Sequence, residues 1–373
     1  MVYTKFKFSL NTILLCIFLV SCTDNKVGAP NYAGNYSKED GGRLINAMTG
    51  EPSNLIAMIA GDSASSAIAG NIFNSLLKYN EQLNYAPEIA ESWDISSDQK
   101  TISYGIRKGL TWSDGSPLTS KDVMFTWKLV TNPNTRTPYG SDYQLVKKAT
   151  TPDAHTFTVT YEERYAPALD TWASLHILPE HLLKNEDINN TYFSRNPIGS
   201  SYYMLDDWKS GQQVALKANP LSINGKANIN NLISRVIPDT SSQFLELTAD
   251  NIDLMSINPI QYQRVFPNRA DLTKKISLYK EMGNGYTYLG FNNKKAPFND
   301  VRVRKALNYA IDKDEIIKGV LLGLGEPLSS PYKPGTRWNN AELKPYPYNK
   351  NKAISLLQEV GYHKNDYGFL EKN

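Results

Sequence analysis

Apolar residues recur along this chain with two different periods. Ile102, Tyr104 and Ile106 take every second position between Thr101 and Arg107, and Phe157, Val159 and Tyr161 do so between Thr156 and Tyr161. Strand side chains point alternately to opposite faces, so each run predicts a half-buried strand. Tyr286 to Asn292 is rich in aromatic residues and predicts another. Elsewhere the spacing is helical. Ile68, Ile72, Phe73 and Leu76 predict a helix over Ser63 to Tyr79. Thr119 and Asp122 have the spacing of a capping box, in which each side chain satisfies the other residue's free backbone N–H. They precede Val123, Met124, Trp127 and Val130 on one helical side. Val303, Leu307, Ala310 and Ile311 predict a helix over Asp300 to Ile311, capped by Asn299 or Asp300. Ala353, Leu356, Leu357 and Val360 predict one over Lys350 to Val360, closed by Gly361. No repeat of 20–50 residues is present, which excludes solenoids and propellers. Short strands mixed with medium helices predict an α/β or mixed α+β fold rather than a single barrel or bundle.

The N-terminus follows a different pattern. Lys5 and Lys7 precede a largely apolar stretch from Leu10 to Val20, about half of the ~20 residues needed to span a bilayer. That reads as an export signal over residues 1–22. It ends in Leu19-Val20-Ser21-Cys22, which resembles a bacterial lipobox and marks Cys22 as the lipidation site. An acylated Cys22 would anchor the protein to a membrane without crossing it. Residues 23–40 are polar, with scattered Gly, Pro and Asn, as suits a flexible tether.

Composition narrows the function. The net charge is +3, and Lys5 and Lys7 account for two of the 40 basic residues against 37 acidic ones. So balanced a body gives no electrostatic case for nucleic acid. The cysteines are Cys16 and Cys22, so the body beyond the leader has no disulfide, thiolate ligand or cysteine nucleophile. His155, His176, His181 and His363 have no metal-site spacing, and no metal or cofactor is expected. Ser97 and Lys100 match Ser-x-x-Lys without the companion motifs of that enzyme class, and Ser96-Ser97-Asp98 reads as a turn before a strand. No arrangement would activate a nucleophile or a water, so the chain reads as no enzyme. The 23 Tyr suit walls that meet both apolar and polar groups, or the edges of sheets.

Longer motifs carry a resemblance. They are Pro87-Glu88-Ile89-Ala90-Glu91-Ser92-Trp93, Tyr104-Gly105-Ile106-Arg107-Lys108-Gly109, Trp112-Ser113-Asp114-Gly115-Ser116-Pro117-Leu118-Thr119 and Asp122-Val123-Met124-Phe125-Thr126-Trp127. This run resembles the signature region of family 5 extracellular solute-binding proteins, the oligopeptide, dipeptide and nickel-binding group. Pro197 to Tyr203 resembles the family's Gly-rich turn, with Ser in place of one glycine. Ala249 to Asp253 resembles its Gly-Glu-Ile-Asp, with Asp250 and Asn251 replacing Gly and Glu. Ala296 to Leu307 resembles the pattern that opens the second lobe, and the helix ending at Gly361-Tyr362 a further family helix. These motifs read as structural; Arg302 and Arg304 are expected to be solvated or ion-paired.

The resemblance implies a two-lobed periplasmic binding protein, a type II clamshell. The first lobe would span 41–285 with a β-rich subdomain inserted at about 80–195. The second would start at 286 and be C-terminally truncated at Asn373, leaving little ligand affinity. The implied function is that of a monomeric lipoprotein, in the periplasm or at the cell surface, that captures peptides for the permease of an ABC importer. Nickel or another small solute is the alternative ligand, and a non-binding remnant the alternative state. Peptide main chain would pair with the protein like an added strand. By position, Ala60, Gly61, Asp62, Ser63 and Ala64 match the first-lobe ligand segment, or form a plain loop and helix cap. Tyr286 and Tyr288 would wall the cleft, or pack at the hinge.

Overall fold

The computed structural model describes residues 41–283 and 285–372. The export signal, Cys22 and the tether lie outside the described residues. In chain order the first elements are β1 (Arg43–Met48), α1 (Ser63–Ile72), β2 (Leu77–Tyr79), β3 (Tyr85–Pro87), β4 (Ala90–Ile95) and β5 (Thr101–Ile106). There follow α2 (Ser120–Thr131), α3 (Gly140–Gln144), β6 (Val146–Asp153), β7 (Thr156–Tyr161), α4 (Ala168–Ser174) and α5 (Glu180–Leu183). Next come β8 (Tyr203–Lys209), β9 (Gln213–Ala218), β10 (Asn231–Val236), α6 (Thr240–Thr248) and α7 (Ala270–Thr273). The last are α8 (Val301–Ala310), α9 (Lys313–Val320), α10 (Lys350–Gln358), β11 (Tyr362–Lys364) and β12 (Leu370–Lys372).

Two four-stranded sheets carry the body. One is antiparallel with the order β4-β5-β7-β6. Its alternating faces bury Ile102, Tyr104, Ile106, Phe157, Val159 and Tyr161, as the period of two requires. Trp172 packs edge-on against Phe157 with ring centroids 5.0 Å apart, and its indole N–H donates to the Tyr161 hydroxyl at 3.0 Å. The capping box before α2 is present, with the Asp122 carboxylate accepting the Thr119 N–H at 2.8 Å. Asp122 also accepts the Glu180 N–H at 3.0 Å and so ties α2 to α5. The Trp112 turn closes with Gly115 at φ +87°, a left-handed conformation that glycine adopts without strain.

The other sheet has the order β1-β10-β9-β8, with β1 parallel to β10 and the remaining pairs antiparallel. Asp253 borders β1 on its far side. Its carboxylate accepts the Ile45 N–H at 2.7 Å and its own N–H donates to the Ile45 carbonyl at 2.7 Å. Asp250 stands where the family resemblance has glycine, and its φ is +62°. It ends α6 in a Schellman turn, in which Asn251 N–H donates to Glu246 O and Asp250 N–H to Leu247 O. Asp is one of the few residues that tolerates this conformation, so the turn survives loss of the glycine.

Two expectations are corrected. The helix expected over Ser63–Tyr79 stops at Ile72, whose carbonyl is taken by donors from distant chain instead of the Leu76 N–H that a continuing helix would supply. The Ile72 carbonyl accepts the N–H groups of Ser200 at 3.0 Å and Ser201 at 2.9 Å. Phe73 then turns extended, and Ser75 and Leu76 pair through their carbonyls with Ile89 and Ala90. Ile68, Ile72, Phe73 and Leu76 are nevertheless all buried. The strand expected over Tyr286–Asn292 is not formed. No residue from 277 to 291 makes a backbone–backbone hydrogen bond among the described residues, and a strand without a partner edge has no ladder to hold it. The other two helices stand as α8 and α10. Asp300 is the N-cap of α8, and Arg302 is ion-paired with it at 2.6 Å.

Gly199 makes the contact at Ile72 possible. A methyl group there would overlap the Ile72 carbonyl oxygen and come within 2.5 Å of its Cγ2. Around it lies a buried polar chain. Ser200 Oγ donates to Asn74 Oδ1 at 2.8 Å, and Asn74 Nδ2 donates to Glu88 at 2.9 Å. Burial pushes the Glu88 carboxyl up, against the hydrogen bonds from Asn74 and Ser75. Gly199→Ala is expected to cost roughly 3 kcal/mol, the upper range for overpacking a closed site. Urea unfolding of the mature chain measures this, and an unchanged midpoint would refute the close approach.

His176 adds an acid-sensitive point in the same region. Its ring stacks on Phe73 with centroids 6.1 Å apart, and its buried Nδ1 has no partner among the described residues. Burial pushes its pKa from 6.5 down to about 4. A depressed folded pKa means the unfolded chain takes the proton first. The neutral ring therefore stabilises the fold fully above pH 6.5, and this contribution is lost as pH falls toward 4. The loss amounts to at most about 3 kcal/mol. Melting curves from pH 7 to 4 should show a steeper decline for the wild type than for His176→Phe; parallel declines would remove the assignment.

Candidate functional site

The segment Ala60–Ala64 is built from the loop that follows β1. Asn54 Oδ1 accepts the Ile56 N–H at 2.8 Å, and Ala60 N–H donates to Ile56 O at 3.2 Å, so the loop turns back on itself. Leu55, Ile56 and Ala60 are buried beneath it. Asp62 is the N-cap of α1. Its Oδ1 accepts the Ser65 N–H at 2.7 Å, and its Oδ2 accepts the hydroxyls of Ser65 at 2.7 Å and Ser53 at 2.6 Å. Burial works to raise its pKa, but the bonds from Ser53 and Ser65 outweigh it and hold the carboxyl below its ordinary value. Both oxygens are therefore engaged within the chain.

Gly61 differs from its neighbours. It is exposed, and a Cβ built on it meets no atom within 4 Å. Its N–H and carbonyl have no hydrogen-bond partner among the described residues. Ser63 is exposed and Ala64 half-buried at the first turn of α1. Beside the loop stands Tyr139, whose hydroxyl lies 3.5 Å from the Ala60 carbonyl and whose ring is exposed. Sequence reasoning missed Tyr139. It precedes α3, far from Ala60 in the chain, and no local pattern marks it.

Tyr286 and Tyr288 sit apart from this loop in the fold's bonding. Their rings lie 5.5 Å apart and are 47% and 71% exposed. No hydrogen bond or ring contact links them to Ala60–Ala64 among the described residues. An open hollow of about 820 Å³ lies elsewhere, against α8 and the β11–β12 pair, lined by Pro297, Val303, Val360 and Lys372 among others. None of the expected site residues lines it. Among the described residues no cluster of three or more His, Cys, Asp or Glu could hold a metal ion. His181 is paired with Asp114 at 2.8 Å and His363 with Glu371 at 3.3 Å.

The profile of the bacterial extracellular solute-binding proteins, family 5 middle, matches residues 84–372. The chain belongs to this family. The oligopeptide-binding protein AppA of Bacillus subtilis is 29% identical, over 97% of this chain and 67% of its own length. The structure of AppA from Bacillus subtilis in complex with a nonapeptide aligns with a TM-score of 0.77 at 28% identity, over 90% of this chain and 67% of AppA. NikZ from Campylobacter jejuni in complex with Ni(L-His) aligns with a TM-score of 0.79 at 29% identity, over 91% of this chain and 66% of NikZ. The chain thus spans about two thirds of the length of these relatives. The mixed α/β fold is that of these two-lobed family 5 proteins.

The bonds around Asp62 make its carboxylate a structural cap. Asp62→Ala is expected to cost about 1–2 kcal/mol and Asp62→Asn distinctly less, because Asn caps almost as well. The sign with pH follows from the lowered pKa. The contribution is present above 3.8 and is lost as acid passes through the lower folded value. Denaturant titrations at neutral and acid pH read both effects. Equal stability of wild type and Asp62→Ala at neutral pH would show that the cap contributes nothing.

Proposed function

We propose that this chain captures peptides outside the cytoplasm for an ABC importer, and that it does no chemistry of its own. One observation carries the reading. Gly61 offers an N–H and carbonyl that are unpartnered among the described residues and exposed, while the residues on either side are pinned by Ile56, Ser53 and Ser65. Such a segment can accept the main chain of an extended peptide as an added strand, which gives affinity with little dependence on side-chain sequence. Family membership and the likeness to AppA with its nonapeptide support the same ligand class.

In this reading Ala60, Gly61, Asp62, Ser63 and Ala64 form the first-lobe ligand segment, with Gly61 as the contact and Asp62 as its support. Tyr139 supplies a wall. Tyr286 and Tyr288 reach the ligand from the segment joining the lobes. The first lobe covers 41–285, with residues of about 80–195 inserted into it, and the second begins at 286. The lobes hinge shut on the ligand, and the closed form docks on the permease. Cys22 carries the lipid that holds the monomer at the periplasmic or cell surface.

The likeness to NikZ with Ni(L-His) favours a second reading, capture of a nickel chelate. Calorimetry of the mature chain separates the two. Titration with a mixed pool of short peptides should release or absorb heat with a saturable isotherm, and Gly61→Pro should weaken it at least tenfold by removing the N–H. A saturable response to Ni²⁺ with L-histidine and none to peptides would replace the peptide reading.

A further inference from the structure

Arg337 occupies an unusual position in the stretch between α9 and α10. Its guanidinium carbon lies 4.0 Å from the ring centre of Tyr85 and 4.5 Å from that of Trp338. Its Nη2 is 3.3 Å from Asp170 Oδ1. The same carboxylate oxygen accepts the Tyr79 hydroxyl at 2.7 Å. Tyr79 in turn meets the Trp338 ring edge-on, with centroids 6.0 Å apart at 79°. Tyr79 and Tyr85 face each other across the β2–β3 pair, and Asp170 stands on α4.

We propose that Arg337 and Trp338 form a clasp that fastens the α9–α10 connection onto a seat made by Tyr79, Tyr85 and Asp170. It is a conformational device of the two-lobed protein and rests on that reading of the fold, since it joins residues 79–170 to residues 337–338. Three features argue that the contact is built. The carboxylate is held by the Tyr79 hydroxyl from within the β2–β3 and α4 seat, independently of Arg337. The guanidinium meets two aromatic faces and one anion together, a combination that a planar, weakly hydrated cation satisfies and a lysine ammonium does not. The stretch also has little else to hold it. Every other hydrogen bond of residues 325–344 among the described residues stays within that stretch. An exposed ion pair alone contributes little, so the stacking has to supply most of the hold. Any opening that separates the two halves must withdraw Arg337 from its seat. The clasp therefore favours the conformation in which the loop lies on the β2–β3 pair.

Hydrogen exchange of the mature chain tests this through a mutant cycle. Arg337→Ala and Tyr85→Leu should each speed exchange of the amides in 329–340 by roughly threefold to tenfold. The double variant should be no faster than the faster single one, because both remove the same contact. Arg337→Lys should resemble Arg337→Ala. Amides of β5 and β7 should stay unchanged in all variants. Should Tyr85→Leu also loosen those strands, Asp170→Asn takes its place in the cycle. Unchanged exchange at 329–340 in Arg337→Ala, or effects that multiply in the double variant, would overturn the clasp. Peptide binding is read separately, so absence of binding with an intact cycle counts against the ligand reading and not against the clasp.

Discussion

The carbonyl of Ile72 accepts two backbone N–H groups from Ser200 and Ser201, and the rest of the body is arranged around that meeting. It ends α1, releases residues 73–79 to pair as extended chain, and brings the start of β8 against the first helix. Gly199 lets the two backbones touch, and its own carbonyl accepts the Ser113 N–H at 2.8 Å. Three distant stretches thus converge on one point: the helix after the candidate ligand loop, the Trp112 turn and the second sheet. Asn74, Glu88 and Asn219 satisfy the backbone and side chains of Ser75, Ser200 and Ser201 drawn inside with them, while Trp112 Nε1, Ser113 Oγ and His176 Nδ1 are buried without a partner among the described residues.

Carboxylates serve the same purpose across the molecule. Asp62, Asp122 and Asp253 each accept a backbone N–H that would otherwise be unpaired at the start of a helix or beside a strand. Glu51 accepts the Trp208 indole at 2.8 Å, the Ser210 hydroxyl at 2.8 Å and the Gly211 N–H at 2.9 Å. An acid engaged in this way is a poor candidate for proton transfer, because its lone pairs are already taken. What remains free at the candidate site is backbone, at Gly61, and that suits recognition of main chain.

The described residues from 286 onward hold together by different means. α8 and α10 pack through Val303, Ala306, Ala353 and Leu356, while α9 buries no residue. Leu289, Val320 and Phe369 are exposed there. With so little apolar burial, the position of the α9–α10 connection relies on specific contacts such as Arg337 with Tyr85 and Asp170.

Much of this was legible in the sequence because it depends on near neighbours. Alternation in Thr101–Arg107 and Thr156–Tyr161 specified β5 and β7, since the face a strand side chain takes is set by its own position in the chain. Thr119 with Asp122, and Asp300, capped their helices as expected, because a cap bonds within three residues. The family motifs were equally legible, and even the replaced glycine at Asp250 kept its turn. The tertiary structure alone decided where α1 stops, because the competing donors come from residues 200 and 201. It also decided the fate of Tyr286–Asn292, whose aromatic-rich side chains could suggest a strand but not supply its hydrogen-bonding partner. At the candidate site, the sequence supplied the loop Ala60–Ala64. Only the folded chain showed that Asp62 is engaged, that Gly61 is free and that Tyr139 stands beside it. Those properties depend on which groups meet across long stretches of chain, and local periodicity carries no record of such meetings.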